Sequence, residues 1–556
     1  MGQKKTARTS FMKSLLHDTT ANTLALSAAA LLPLMAMVGG GIDASRYYMA
    51  AARMQAACDA GALAARRAMT GTTMTEAQRQ QGLNFFDQNF HDGIFGVTGR
   101  TRNYTANSAG VVTGTASGTL PSTIMGAFGF AQFPLSVTCS ADLNLSNTDI
   151  MFVLDVTGSM NCPDNNIAGC TNGNNNEVEV ANSLIVGLRQ AVLSFYDSVA
   201  TTASPAARVR YGMMPYANTV NVGFDIPTQY MASSHTYQSR LPMYTSTGAF
   251  DRYRYCRITT GQATNCSYTT PTGRNGWGSV NLATLYDDNQ IQMPTGTNGA
   301  METITWAGCI EEAATLRNAT FDPLPANAFD LNINLVPTTE AQRWKPLLNR
   351  AVWQRFSNGV PSMGVNSTTT DQTNWRMDRP GLNLCVPRAR RLGEMTRAQV
   401  QTYVNGLVAR GATYHDIGMI WGARYLSPRG IFAADNTSAP NGQPIARHIV
   451  FMTDGALAPN RLVYSPYGIE PWDIRVTSDG SQSQMDARHE ARFQAACAAA
   501  KNENITVWVV AFGTELTTSL ENCASPDRAF EAANNAALNQ AFQRIASQIA
   551  ALRLTL

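Results

Sequence analysis

Residues 149–160 read DIMFVLDVTGSM, an apolar run followed by Asp155, Thr157, Gly158 and Ser159. Asp, Gly, Ser and Thr after a strand are also what an ordinary strand-to-helix turn uses. By itself the stretch is therefore either turn chemistry or half of a metal site, and partners elsewhere must decide. RGATYHD supplies Thr413 and VFMTDGA supplies Asp454, each where a strand should end or a helix begin. In an open parallel sheet, ligands bind in the crevice outside the carboxyl ends of the strands. Asp155 and Asp454 would face one another there, with a hydroxyl from the Thr413 loop on a third side. Two carboxylates and three hydroxyls, without Cys or His, make a hard oxygen shell suited to Mg²⁺, with Mn²⁺ or Ca²⁺ as alternatives. If the hydroxyls bind directly and an Asp acts through water, the ion keeps much of its charge. An open position would then attract a carboxylate from a partner.

Each piece has a plainer use. Thr413 to Asp416 fits a capping box, with Thr413 capping a helix and Asp416 bonding back, and Asp-Gly after a strand is a common turn. Taken together, in this order and each at an element end, the metal reading is preferred. An Asp after an apolar strand with a later TDG also suggests a phosphatase that uses an Asp nucleophile beside Mg²⁺. Such an enzyme needs a second carboxylate two residues on as acid and base, and position 157 is Thr. No G-x-S-x-G elbow occurs, and the six histidines show no ligand or triad spacing. His415 is expected to support the Gly-Ala-Thr loop rather than act as a base.

DVTGS, GAT and MTDG resemble the D-x-S/T-x-S, Thr and Asp elements of the metal-ion-dependent adhesion site of von Willebrand factor type A domains. That resemblance implies that Asp155, Thr157, Ser159, Thr413 and Asp454 are the metal-binding residues. Thr157 stands where serine is commoner and keeps the hydroxyl. The insertion before Thr413 is longer than usual for the family, and an Asn-rich Cys162–Cys170 loop follows the first motif directly.

The elements that must position these residues alternate. DIMFVLD and RVRYGMMPYA read as strands, and so do RHIVFMTDG and ITVWVVAFG. Between and after them lie helical stretches. NSLIVGLRQAVLSFYDSV has Leu184, Leu188, Val192 and Phe195 at three- and four-residue spacing, and RAQVQTYVNGLVARG, YHDIGMIWGARYLS and MDARHEARFQAACAAAKNEN follow. In ALNQAFQRIASQIAALRL, Leu538, Phe542, Ile545, Ile549 and Leu552 repeat likewise, a pattern better used against a sheet than as a short coiled coil. Near-continuous apolar strands alternating with helices imply a mainly parallel sheet covered on both faces. Residues from about 217 to 395 have no clear periodicity and are rich in Asn, Thr, Gly, Tyr and Trp. A loop of that length is improbable, so a folded insertion is expected.

Lys4, Lys5, Arg8 and Lys13 precede a stretch from Ala21 to Ile42 that holds no charged residue, about the length that crosses a bilayer. A retained anchor is preferred to a cleaved signal peptide, although AMVGGG leaves cleavage open. Basic residues before the span and Asp43 after it direct the N-terminus to the cytoplasm and the bulk of the chain to the periplasm or the cell surface. All ten cysteines follow the span, an even number suited to disulfides in an oxidising compartment. Neither C-x-x-C nor H-E-x-x-H occurs, which sets zinc aside. With 42 basic and 39 acidic residues in 556, and no basic stripe interleaved with aromatics, nucleic acid is excluded as a partner.

After the span, DASRYYMAAARMQAACDAGALAARRAM reads as a helix continuing out of the membrane, either with a small-residue face for close helix contact or as an Ala-rich stalk. MTEAQRQQGLNFFDQNF is again helical. Residues 103–142 then turn to Ser, Thr, Gly and β-branched types, so a small α+β unit is expected, which a Cys58–Cys139 bridge would staple.

HDTTANTLALSAAALLPLMAMVGGGIDASRYYMAAARMQAACDAGALAA resembles the N-terminal segment of TadE/TadG-like proteins of Flp (tight adherence) pilus assembly. Its pairing with what resembles a type A domain, with WGARYLSP and a terminal LRLTL, is similar to the TadG-like pattern. The resemblance implies a Rossmann-like, doubly wound α/β domain with a large insertion, preceded by a transmembrane helix and a small α+β unit. The expected order is a basic tail (1–20), the span (21–42), the TadE/TadG-like unit (43–147) and the type A-like domain (148–556). It further implies a non-enzymatic inner-membrane protein that docks pilus-assembly or secretion components through an acidic residue at the metal. A surface adhesin using the same metal is the alternative. A pilin cut by prepilin peptidase usually has a Glu early in its apolar segment, and none occurs here, which favours an accessory role.

Overall fold

The computed structural model describes residues 19–552 except 70–72, 109, 142–146, 167–169, 171–177, 203–207, 256, 260–261, 265–279, 354–355, 358–359, 362–365, 368–375, 379–384 and 441. Lys4, Lys5, Arg8, Lys13, Cys256, Cys266 and the terminal segment from residue 553 lie outside the described residues. The chain divides into two compact units, one ending at Asn144 and the other starting at Leu145.

The first unit begins with α1, Thr19–Ala68, an unbroken run of 50 residues with Pro33 inside it. Among the described residues one helix, Leu26–Ala68, is long and apolar enough to cross a membrane. Its early side chains are bare: Leu26 is 68% and Met37 69% exposed. From Ala50 onward one face is buried through Met54, Ala57, Cys58, Ala62 and Ala65, a stripe that, apart from the adjacent Ala57 and Cys58, steps by three and four residues as one face of a helix does. That face receives α2, Glu76–Asn89, which starts at a capping box between Thr75 and Gln78. The two helices meet at Gly61 and Gly82, where a Cβ on Gly82 would lie 2.8 Å from the carbonyl oxygen of Gly61. The small residues are thus a packing face and not a stalk.

An antiparallel meander of β1 (Thr98–Ala106), β2 (Val112–Pro121) and β3 (Gln132–Ala141) completes the unit. Buried and more exposed positions alternate along β2, as expected of a sheet with one face on the core. The expected bridge between Cys58 and Cys139 is formed.

The second unit is a mixed α/β layer. Its sheet strands are β4 (Asn147–Asp155), β5 (Val209–Tyr216), β6 (Arg390–Gly393), β7 (Ile445–Thr453), β8 (Ile505–Phe512) and β9 (Ala529–Ala532), in the spatial order β6-β5-β4-β7-β8-β9. All pairings are parallel except that of β6 with β5. Every residue of β4 is buried, which explains its continuous apolar run.

Helices α3 (Leu184–Thr202), α4 (Arg397–Asn405) and α7 (Asn535–Leu552) share a core with one face of the sheet, where Phe152, Phe195 and Phe542 meet within 6.2 Å. Helices α5 (His415–Leu426) and α6 (Gln482–Asn502) share the core of the other. Gly418 of α5 lets that helix lie on Tyr216, whose ring a Cβ would meet at 2.6 Å.

The insertion packs on the α5 face, contributing Trp344, Leu348 and Ile310 to the same core. Arg390–Gly393, which composition groups with the insertion, is instead the antiparallel edge of the sheet. Among the described residues three further disulfides, Cys162–Cys170, Cys309–Cys385 and Cys497–Cys523, lie in this unit.

Candidate metal centre

Strands β4 and β7 are neighbours, and their register ends with Leu154 opposite Met452. Asp155 and the pair Thr453–Asp454 therefore leave the sheet side by side at its carboxyl edge. Beyond Asp155 the backbone N–H of Thr157 returns to Oδ1 of Asp155 at 2.9 Å. A single 3₁₀ turn, Gly158–Asn161, then carries Ser159 back over the strand ends.

Four of the five expected residues converge. The Ser159 hydroxyl donates to Oδ1 of Asp454 at 2.9 Å and lies 3.0 Å from the Thr157 hydroxyl, which is 3.5 Å from the same carboxylate oxygen. The second oxygen of Asp454 is buried without a hydrogen-bond partner. Ser159 and Gly455 are half-exposed, so the cluster is reached from outside along that edge.

Thr413 is placed differently. Its loop is clasped to the first motif, with Arg410 N–H donating to Val156 O at 2.7 Å and Gly158 N–H to Gly411 O at 3.0 Å. The Thr413 carbonyl accepts from Ala458 N–H at 2.9 Å. Among the described residues no hydrogen bond joins its hydroxyl to the other four side chains. The capping-box alternative is corrected: Tyr414 is the N-cap of α5 and no side chain caps it. Asp416 instead accepts from His489 Nδ1 at 2.7 Å.

Composition and spacing missed two supporting residues. Thr453 donates to Oδ2 of Asp155 at 2.8 Å, and the Tyr216 hydroxyl donates to the same oxygen at 3.3 Å. His415 Nε2 lies 2.8 Å from the Thr453 hydroxyl, so His415 backs Thr453 and not the Thr413 loop. Burial pushes its pKa down to about 3 and keeps the ring neutral. Thr453 stood beside Asp454 in the motif. Tyr216 gave no signal beyond ending a strand.

Electrostatics sharpens the arrangement. Burial pushes the Asp155 carboxyl up against hydrogen bonds from Thr157, Thr453 and Tyr216 that pull it down. Burial, and after it the Asp155 charge, pushes Asp454 well above the usual carboxylate range. Among the described residues neither carboxylate has a basic side chain in an ion pair. Two buried like charges stay ionised together only beside a compensating charge. The pair therefore holds a proton or a cation. Its donors, all oxygen, fit a hard divalent ion, and the unpartnered oxygen of Asp454 is free to serve as a ligand. Among the described residues no group of three or more His, Cys, Asp or Glu side chains is set to hold a metal. An ion here would depend on the hydroxyls as much as on the carboxylates.

Residues 22–70 match the family described as "Putative Flp pilus-assembly TadE/G-like". A TadE/G-like segment thus forms the N-terminal part of the chain and includes its apolar helix. No curated protein matches the chain by sequence. Among solved structures, the pilus adhesin SpaC of Lactobacillus rhamnosus GG overlaps 82% of this chain at 10% identity and a TM-score of 0.31, and this chain covers 34% of SpaC, about a third of its length. The PilB minor pilin of Streptococcus sanguinis overlaps 82% of this chain and 78% of its own at 11% identity and a TM-score of 0.29. Overlaps this weak set neither a fold nor a function.

Proposed function

We propose that the chain is a non-enzymatic, membrane-anchored envelope protein of Flp (tight adherence) pilus assembly, of the TadG-like kind. In this reading α1 crosses the inner membrane once with the N-terminus in the cytoplasm, and the bulk lies in the periplasm or at the cell surface. The second unit acts as a von Willebrand factor type A domain. Asp155, Thr157, Ser159 and Asp454, with Thr413 from the clasped loop, hold Mg²⁺, or Mn²⁺ or Ca²⁺ in its place, and an acidic residue of another pilus or secretion component completes the ion's shell.

The TadE/G-like match over residues 22–70 supports the pilus setting. The observation that carries the metal reading is the buried Asp155–Asp454 pair, with no base paired to it among the described residues and with the hydroxyls of Thr157, Ser159 and Thr453 facing it. Thr at position 157, where phosphoryl transfer from an Asp nucleophile needs a second carboxylate, argues against that reaction.

Calorimetric titration of the chelator-treated full chain in detergent tests the metal. One Mg²⁺ or Mn²⁺ should bind per chain, and Asp155→Ala should abolish that binding without unfolding. Unchanged affinity in the variant sinks the assignment. For the biological role, cells carrying Asp454→Ala should lose piliation or adhesion, and normal pili with normal adhesion would make the site dispensable.

A further inference from the structure

The hairpin between β2 and β3, residues 122–131, reads STIMGAFGFA and carries no charged side chain. It folds back onto the end of the apolar run of α1. Ile124 covers Gly39 so closely that a Cβ there would meet Ile124 Cγ2 at 2.4 Å. Gly39 is buried, while the neighbouring Met37 and Val38 are 69% and 60% exposed.

The same turn is pinned by Asp43, the first charged residue after the apolar run. Its carboxylate accepts from the backbone N–H groups of Thr123, Ile124 and Met125 at 2.8, 3.0 and 2.8 Å. Arg46, one turn further along α1, donates to Pro121 O at 3.3 Å and to the Thr123 hydroxyl. At ~1.5 Å rise per residue, Gly39 lies about 6 Å before Asp43 along the helix axis. The hairpin tip is therefore fixed at the depth where the apolar run ends and polar side chains begin. Phe130 projects from it, 57% exposed.

We propose that the 122–131 hairpin is a second membrane contact, an apolar wedge seated in the interface of the bilayer that α1 crosses. The proposal rests on the reading of α1 as a membrane anchor. Lipid is the occupant because the hairpin is continuous with helix surface that is itself bare and apolar. Asp43 already accepts from the backbone N–H groups of Thr123, Ile124 and Met125, and hydrogen bonds within the turn take those of Ser122, Ala127, Gly129 and Phe130, which lowers the cost of moving this backbone out of water. An exposed ring such as Phe130 gains on entering that layer.

The full chain, reconstituted in vesicles of phosphatidylethanolamine and phosphatidylglycerol doped with a phospholipid bearing a diazirine on one acyl chain, tests this. After irradiation, the labelled peptides are mapped by mass spectrometry. Label is expected on 122–131 as well as on 26–42, and Phe130→Asp, on an exposed ring outside the core, should lower the hairpin's share several-fold while leaving that of 26–42. Label confined to 26–42 overturns the wedge and leaves the anchor, and it is also the result if another protein covers the patch. Label on neither segment overturns both readings. Hairpin label that Phe130→Asp leaves unchanged overturns the wedge.

Discussion

The hydroxyl of Ser159 donates to Oδ1 of Asp454 across 2.9 Å, although 295 positions separate the two residues in the chain. The bond ties the turn after β4 to the turn after β7 and leaves the other oxygen of Asp454 buried and unpartnered. A buried acceptor without a donor typically costs ~1–3 kcal/mol, and more when it is charged. Stability is thus given up at the position where a cation would restore it.

Asp454→Asn tests that balance. The amide keeps an acceptor for Ser159 and is neutral without having to take up a proton beside Asp155, so without metal the variant should melt at or above the temperature of the wild-type chain. With Mg²⁺ at a hundred times its dissociation constant, the wild type should gain about 2.7 kcal/mol, and the variant should gain nothing. Thermal melts with chelator and with Mg²⁺ read both. An equal response of the two proteins would place the ion elsewhere.

The parts of this arrangement that sequence reveals are the local ones. Strands β4, β7 and β8 are buried on both faces and so leave unbroken apolar runs. Helices α3 and α7 bury one stripe and so show it as a period. β6 escapes because an edge strand of Arg, Arg, Leu and Gly needs no such run, and its register slips between Arg390 and Gly393. The insertion escapes because its core is non-local, as where Trp344 meets Trp421 of α5 at 5.4 Å. At the site the acids and hydroxyls were legible as types. Tyr216 was not, because its role comes from standing opposite Asp155 in the register of β4 and β5. The Thr413 motif suggested a joined hydroxyl, whereas backbone bonds are what hold its loop.

Glu312 of the insertion is fully buried against Arg424 of α5, 3.2 Å away, and also accepts from the indole N–H groups of Trp344 and Trp421. Glu312→Ala strands a buried guanidinium and two indole donors, so a loss of about 3–5 kcal/mol is expected. Denaturant unfolding of the second unit measures it. A loss below about 1 kcal/mol, the value of an exposed pair, would mean that this key between insertion and α5 is not made.

Glu311, its neighbour, is held at about 2 in the folded chain: burial raises its pKa, but His235 at 3.0 Å, Arg475 at 3.2 Å and the Tyr464 hydroxyl together outweigh that. A carboxylate depressed on folding adds stability above its unfolded pKa, and that stability drains away as pH falls toward the folded value. The wild type should therefore exceed Glu311→Gln by on the order of 3 kcal/mol near pH 6. The gap should shrink as pH falls from the ordinary 4.5 toward 2. Urea midpoints across that range check the sign. A gap that widens with acid contradicts the ion pairing.

The disulfides should separate stability from binding. Cys58 and Cys139 close a separation of 81 residues, for which loop entropy gives a stabilisation of about 4–5 kcal/mol. Cys58→Ser with Cys139→Ser should therefore lower the melting of the first unit and leave Mg²⁺ affinity untouched. Cys162 and Cys170 span only 8 positions, a loop worth about 2–3 kcal/mol by the same relation. That bridge closes directly after the turn that presents Ser159, and Cys162 N–H donates to Ser159 O at 2.8 Å. Cys162→Ser with Cys170→Ser should cost less in melting temperature and more in metal affinity, because the turn is no longer held against Asp454. Calorimetry on both double variants reads the contrast. If the first weakens Mg²⁺ binding and the second does not, the turn after β4 is not what positions the ligands.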